Sequence, residues 1–166
     1  MRVAWGRPRL GTRRPRTREN GIAMAELVID RDFAAPCERL FQAFTDPTVL
    51  VEWYGPVGFS VPRTTCEIDP RVGGRRRLEL VNDDDPVQRL SVDATFTELD
   101  PPWLIASQEE LPDGGTYALR IEIDCCEGKE RSHVRLVQLP WPGADVEQIR
   151  SGWESSFTKL DALLDL

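Results

Sequence analysis

Hydrophobic positions recur along this chain with two periods, and the switches between them mark its elements. Glu26-Leu27-Val28-Ile29-Asp30-Arg31-Asp32-Phe33 is rich in β-formers and predicts a strand ending at Ala34-Ala35-Pro36. Pro36 suits the first position of a helix, and Leu40, Phe41 and Phe44 recur at helical spacing up to Thr45. Asp46-Pro47 combines an N-cap with an N1 proline and predicts a short second helix to about Trp53, stopped by Gly55-Pro56.

The period then changes to two. Phe59 to Ile68 predicts a strand, followed by the turn signals Asp69-Pro70 and Gly73-Gly74. Arg75 to Val81 predicts the next and ends in the acidic turn Asn82-Asp83-Asp84-Asp85-Pro86. Leu90, Val92, Ala94 and Phe96 alternate with Ser91, Asp93, Thr95 and Thr97, the pattern of a half-buried strand. Trp103 to Glu110, Tyr117 to Cys125 and Ser132 to Leu139 follow, divided by Pro112-Asp113-Gly114-Gly115 and Gly128-Lys129. Six strands without intervening helices predict an antiparallel meander. After Pro142-Gly143, Asp145 and Gln148 stand at capping-box spacing. Ile149, Trp153, Phe157, Leu160 and Leu164 then form one apolar stripe, so the last element is an amphipathic helix laid on a sheet. The order is β-α-α-β6-α, an α+β fold.

Composition sets outer bounds. The chain has 166 residues, 40% hydrophobic and 30% charged, which suits one globular domain. One histidine, His133, excludes most zinc hydrolases and multi-histidine acid–base machinery. A net charge of −7 disfavours nucleic acid as a partner. The apolar stretches are too short for a membrane span.

The charge is split along the chain. Residues 1–23 carry seven arginines and one acid, Glu19, with Pro8 and Pro15 and no apolar periodicity. They predict a disordered basic leader ahead of a start at Met24, with a single domain over 24–166. The leader lacks the apolar region of a secretory signal, which leaves no twin-arginine export signal at Arg13-Arg14 either. A basic arm or a transit peptide is the weaker alternative. Cys37, Cys66, Cys125 and Cys126 show no metal-ligand pattern. Without a signal peptide, the expectation is a cytoplasmic protein with free cysteines, Cys125 a small core hydrophobe and Cys126 an exposed thiol.

Local wording sharpens the fold. Phe33-Ala34-Ala35-Pro36 with Leu40-Phe41-Gln42-Ala43-Phe44-Thr45-Asp46-Pro47 resembles the opening of the SRPBCC (START-like, helix-grip) superfamily. Trp53-Tyr54-Gly55-Pro56-Val57-Gly58-Phe59, Glu67-Ile68-Asp69-Pro70-Arg71-Val72-Gly73-Gly74-Arg75 and Gly152-Trp153-Glu154-Ser155-Ser156-Phe157-Thr158-Lys159-Leu160 resemble one branch of it. That branch is named after the activator of the ninety-kilodalton heat-shock chaperone's ATPase. Tyr54 stands where a second tryptophan is frequent. The resemblance implies a curved antiparallel sheet gripping the long C-terminal helix, often with a cavity between them.

Candidate cavity residues are Phe41, Trp53, Tyr54, Phe59, Arg76, Tyr117, Leu119, Trp153 and Phe157. For the aromatic residues, packing of helix on sheet competes with stacking on an apolar ligand. Arg76 shares a face with Leu78 and Leu80; inside, it needs an internal carboxylate or a ligand anion, whereas at a twisted edge it snorkels to water. Tyr117 alternates with the apolar face and either donates a proton or caps a pocket. Gly73-Gly74 lacks the context of a phosphate loop and serves a turn. Asp83-Asp84-Asp85 lacks an EF-hand's spacing and reads as a solvated turn. His133 alternates with Val134 and Leu136 onto the polar face beside Arg135, and no Ser or Cys nucleophile elbow stands near it to make a catalytic triad.

Three functions remain, in this order. The first is a binding module for a small apolar or amphipathic molecule. The second is a chaperone-associated accessory protein. The third is an enzyme like the superfamily's polyketide cyclases and aromatases. No catalytic residue, cofactor or metal is assigned; nucleic acid and membrane are not expected partners, and the chain is expected to be a monomer or homodimer.

Overall fold

Residues 26–126, 128 and 130–165 are described by a computed structural model. The basic leader and the start at Met24 lie outside the described residues, as does Lys129. Strand β1 (Leu27–Phe33) leads into helices α1 (Cys37–Thr45) and α2 (Pro47–Leu50). Strands β2 (Phe59–Ser60), β3 (Glu67–Ile68), β4 (Arg75–Asn82), β5 (Arg89–Asp100), β6 (Leu104–Glu110), β7 (Thr116–Cys125) and β8 (Ser132–Leu139) follow, and α3 (Val146–Leu164) closes the chain. All pairings are antiparallel, in the order β1-β8-β7-β6-β5-β4-β2, with β3 also on β4. This is the curved sheet with a long C-terminal helix that the alternation and the family wording predict.

The predicted caps hold the helices. The Asp46 carboxylate accepts from the Thr48 amide at 2.8 Å, and the Asp145 carboxylate from the Gln148 amide at 3.1 Å. At the far end of α3, the Arg39 guanidinium donates to the Leu164 and Leu163 carbonyls at 2.9 and 3.2 Å. The predicted stripe of α3 faces the sheet: Phe157, Leu160 and Leu164 are buried, and Phe157 meets Phe33 edge-on at 5.4 Å.

Four local expectations are corrected. The second helix ends at Leu50 and the chain continues to Trp53 as a turn. The strand expected over Phe59–Ile68 is two short strands separated by a 3₁₀ turn at Arg63–Thr65. Pro62, fixed at φ −60°, starts that turn and has no amide to give a ladder. Leu90 is 54% exposed although its alternation places it inward. It pairs with Leu80 on β4, while β6 first joins β5 at Ala94, so the inner face has no third strand there. Finally, Cys37 and Cys125 are not free thiols: they form a disulfide with Cα atoms 5.6 Å apart. The fold brings the start of α1 to the end of β7 across 88 residues of sequence, which cysteine spacing alone does not reveal. Cys66 is buried and free, and Cys126 is exposed and free, as expected for Cys126.

The Gly73-Gly74 turn is anchored to the sheet. The Gly73 amide donates to the Phe96 carbonyl at 2.8 Å, and the Phe96 amide returns a bond to the Gly74 carbonyl at 2.9 Å. Gly73 has φ +82°, and a Cβ on Gly74 would lie 2.1 Å from the Asp69 carbonyl oxygen.

Candidate functional site

Side-chain alternation puts two rows of residues across the inner face of the sheet. Arg76 (β4), Ala94 (β5), Glu109 (β6) and Tyr117 (β7) are successive cross-strand partners. The next row runs Phe96, Ser107, Leu119 and Gln138 to Leu27. Polar residues thus stand where a core-facing row is normally apolar. Arg76 is fully buried and Glu109 is 3% exposed.

These groups are bonded into a cluster. Arg76 Nη2 donates to Glu109 Oε1 at 2.5 Å, and the Tyr117 hydroxyl donates to Glu109 Oε2. The Arg76 guanidinium also lies 5.6 Å from the centre of the Tyr54 ring. Arg76 Nε and Nη1 and Ser107 Oγ, all buried, have no hydrogen-bond partner among the described residues. A buried donor left unmatched costs about 1–3 kcal/mol, so this is an expensive arrangement for packing alone.

Burial governs the ionisation of the cluster. It works against the Arg76 charge, but the Glu109 carboxylate beside it keeps the guanidinium charged. Burial pushes the Tyr54 phenol far above its ordinary range, and Arg76 recovers only part of that. Burial, reinforced by Glu109, does the same to Tyr117. Both phenols are therefore neutral at ordinary pH.

An aromatic wall stands beside the polar row. Tyr54 meets Trp153 edge-on at 5.9 Å, and Trp153 lies 5.8 Å from Phe157. Phe157 stacks on Trp53 at 6.2 Å. Trp153 Nε1 donates to Gln138 Oε1 at 2.8 Å, which ties α3 to the second row. Trp53 Nε1 donates to the Ala43 carbonyl at 3.0 Å. Trp53 and Phe157 are fully buried, whereas Trp153 and Tyr117 are half-buried. Trp141, also half-buried, lies 5.3 Å from Tyr117.

Seven of the nine candidate residues therefore converge: Trp53, Tyr54, Arg76, Tyr117, Leu119, Trp153 and Phe157. Phe59 is half-buried near α3, where its carbonyl accepts from Lys159 Nζ at 3.0 Å. Phe41 lines an outer depression of about 420 Å³ with Glu38, Gln42, Thr45, Ile68 and Pro70. Glu109, Ser107, Gln138 and Trp141 also belong to this region and are not among the sequence candidates. For Glu109 the signal was available, because Ile105, Ser107 and Glu109 share one phase of the β6 alternation.

His133 stands on the opposite face of the sheet, as its alternation predicts. Its ring nitrogens meet Asp32 at 2.7 Å and Asp30 at 3.1 Å, and Arg135 also pairs with Asp30. The Asp32 hydrogen bond, helped by Asp30 against a smaller effect of burial, raises the His133 pKa above 6.5. A raised folded-state pKa stabilises the fold fully below about pH 6.5, and that contribution is lost as pH rises through the folded value. Replacing His133 with Gln is expected to cost under about 1 kcal/mol at pH 5.5 and to flatten the difference above neutrality. Urea midpoints for both proteins from pH 5.5 to 8.5 check this; a gap that widens with pH contradicts it.

A twisted antiparallel sheet, a helix lying across its inner face and a polar cluster between them define a helix-grip domain. The chain belongs to the family described as Activator of Hsp90 ATPase homolog 1-like protein, which it matches over residues 34–165. Solved relatives share the architecture. Protein CV1439 from Chromobacterium violaceum is 26% identical with a TM-score of 0.75, covering 84% of this chain and 96% of its own. The AHSA1 protein from Silicibacter pomeroyi is 28% identical with a TM-score of 0.70, covering 85% and 98%. A Rhodobacter sphaeroides protein, 19% identical with a TM-score of 0.75 over 88% and 95%, shares the fold. No curated protein matches the sequence. Among the described residues, no helix is long and apolar enough to cross a membrane.

Proposed function

We propose that this protein is a binding module that holds one small amphipathic molecule between α3 and the inner face of the sheet. The observation that carries this reading is Arg76, fully buried with Nε and Nη1 unpartnered beside an aromatic wall. A core selected for packing alone favours an apolar residue there. A ligand with a polar end and an apolar body matches both halves of the site: the guanidinium takes the polar end, and Tyr54 and Trp153 take the body. Tyr117, Trp141 and Trp153 at its edge are only half-buried.

Native mass spectrometry of protein purified from its own host, followed by denaturing release, tests the reading. A stoichiometric small molecule is expected. Trp153→Ala is expected to weaken its retention at least about tenfold while near-ultraviolet circular dichroism stays native. Unchanged retention in a folded variant removes Trp153 from the site, and an empty wild-type protein removes the reading. Family membership supports a second reading, an accessory to a heat-shock ATPase. Unlike the first, it does not account for the buried polar row.

A further inference from the structure

The cluster between α3 and the sheet has a surplus of donors and no surplus of charge. Both oxygens of Glu109 are occupied, Oε1 by Arg76 and Oε2 by Tyr117. What remains unmatched is Arg76 Nε and Nη1, which only donate, and Ser107 Oγ, one inward position from Glu109 along β6. The cluster calls for an oxygen acceptor.

Charge decides which kind. Arg76 and Glu109 neutralise each other at 2.5 Å. The other ionisable groups around Arg76 are Tyr54, Tyr117 and Cys66, and burial raises the pKa of each and keeps it uncharged. A ligand carboxylate would place a second negative charge beside Glu109 in a medium where such repulsion is strong and poorly screened. A carbonyl oxygen accepts the same donors and leaves the balance at zero.

Resting on the binding reading above, we infer that the ligand is a neutral carbonyl compound whose oxygen accepts from one of the two free donors of Arg76, Nε or Nη1. Its hydrocarbon or aromatic body lies against Tyr54 and Trp153. The Arg76–Glu109 pair thereby acts as a selectivity device: Arg76 supplies directed donors, and Glu109 cancels the attraction that would otherwise recruit fatty-acid anions.

Two probes of equal chain length test this, 2-decanone and decanoate, titrated at pH 7.5 into wild type and Glu109→Gln. Tryptophan fluorescence and aromatic-ring NMR shifts report binding. Wild type is expected to bind the ketone at least about tenfold more tightly than the carboxylate. Glu109→Gln unbalances the Arg76 charge, and the order is expected to reverse. Decanoate binding to wild type as tightly as the ketone overturns the inference but leaves the binding module standing. Failure of both probes to bind wild type also overturns it, and the co-purified ligand then judges the binding reading separately. If Glu109→Gln does not fold, the wild-type ratio decides alone.

Discussion

Arg76→Met is expected to destabilise the protein by about 3–5 kcal/mol. The substitution leaves the Glu109 carboxylate, 3% exposed, with the Tyr117 hydroxyl as its remaining partner. Two charges were desolvated to build the pair, so removing one strands the other. The double variant Arg76→Met, Glu109→Leu removes both charges with little change in volume. It is expected to return to within about 1 kcal/mol of wild type, because a buried pair contributes little over well-packed apolar residues. Urea denaturation of the four proteins of this cycle measures the coupling. If the double variant loses the sum of the single losses, the two residues do not act as one unit. A double variant that regains stability but no longer holds a ligand would show that the pair is retained for binding.

Much of this arrangement was legible in the chain. The period-two pattern of β4 places Arg76 with Leu78 and Leu80, and that of β7 places Tyr117 with Leu119 and Ile121. The structure keeps both on the inner face. What alternation does not contain is register across the sheet. That Arg76 and Glu109 fall in one row depends on β4–β5 and β5–β6 pairing, set by turn lengths and by the irregularity between Phe96 and Glu98. The aromatic wall shows the same division. The stripe of α3 predicts that Trp153 and Phe157 face the sheet, but that Trp153 reaches Tyr54 and Gln138 is a property of the assembled fold. Phe41 illustrates the converse: helical spacing marks it as apolar and inward, yet it lies at the rim of α1 and lines an outer depression.

The Cys37–Cys125 bond carries the other large expectation. It closes a loop spanning 88 residues, from the first residue of α1 to the last of β7. Restricting a loop of that length in the unfolded chain stabilises the fold by about 4–5 kcal/mol in the chain-entropy account. Reduction of wild type is therefore expected to lower its unfolding free energy by about that amount. In Cys125→Ala, with no bond to break, the same reductant should have no effect. Cys125 is the better residue to alter because it is half-buried, whereas Cys37 is fully buried and its change also disturbs packing. Alkylation in urea gives an independent count: two thiols, Cys66 and Cys126, should react before reduction and all four after it. Four reactive thiols without reductant, or an unchanged urea midpoint on reduction, would remove the bond from the account of stability. α1 would then be held against β7 by packing alone, through buried Leu40, Ala43 and Phe44.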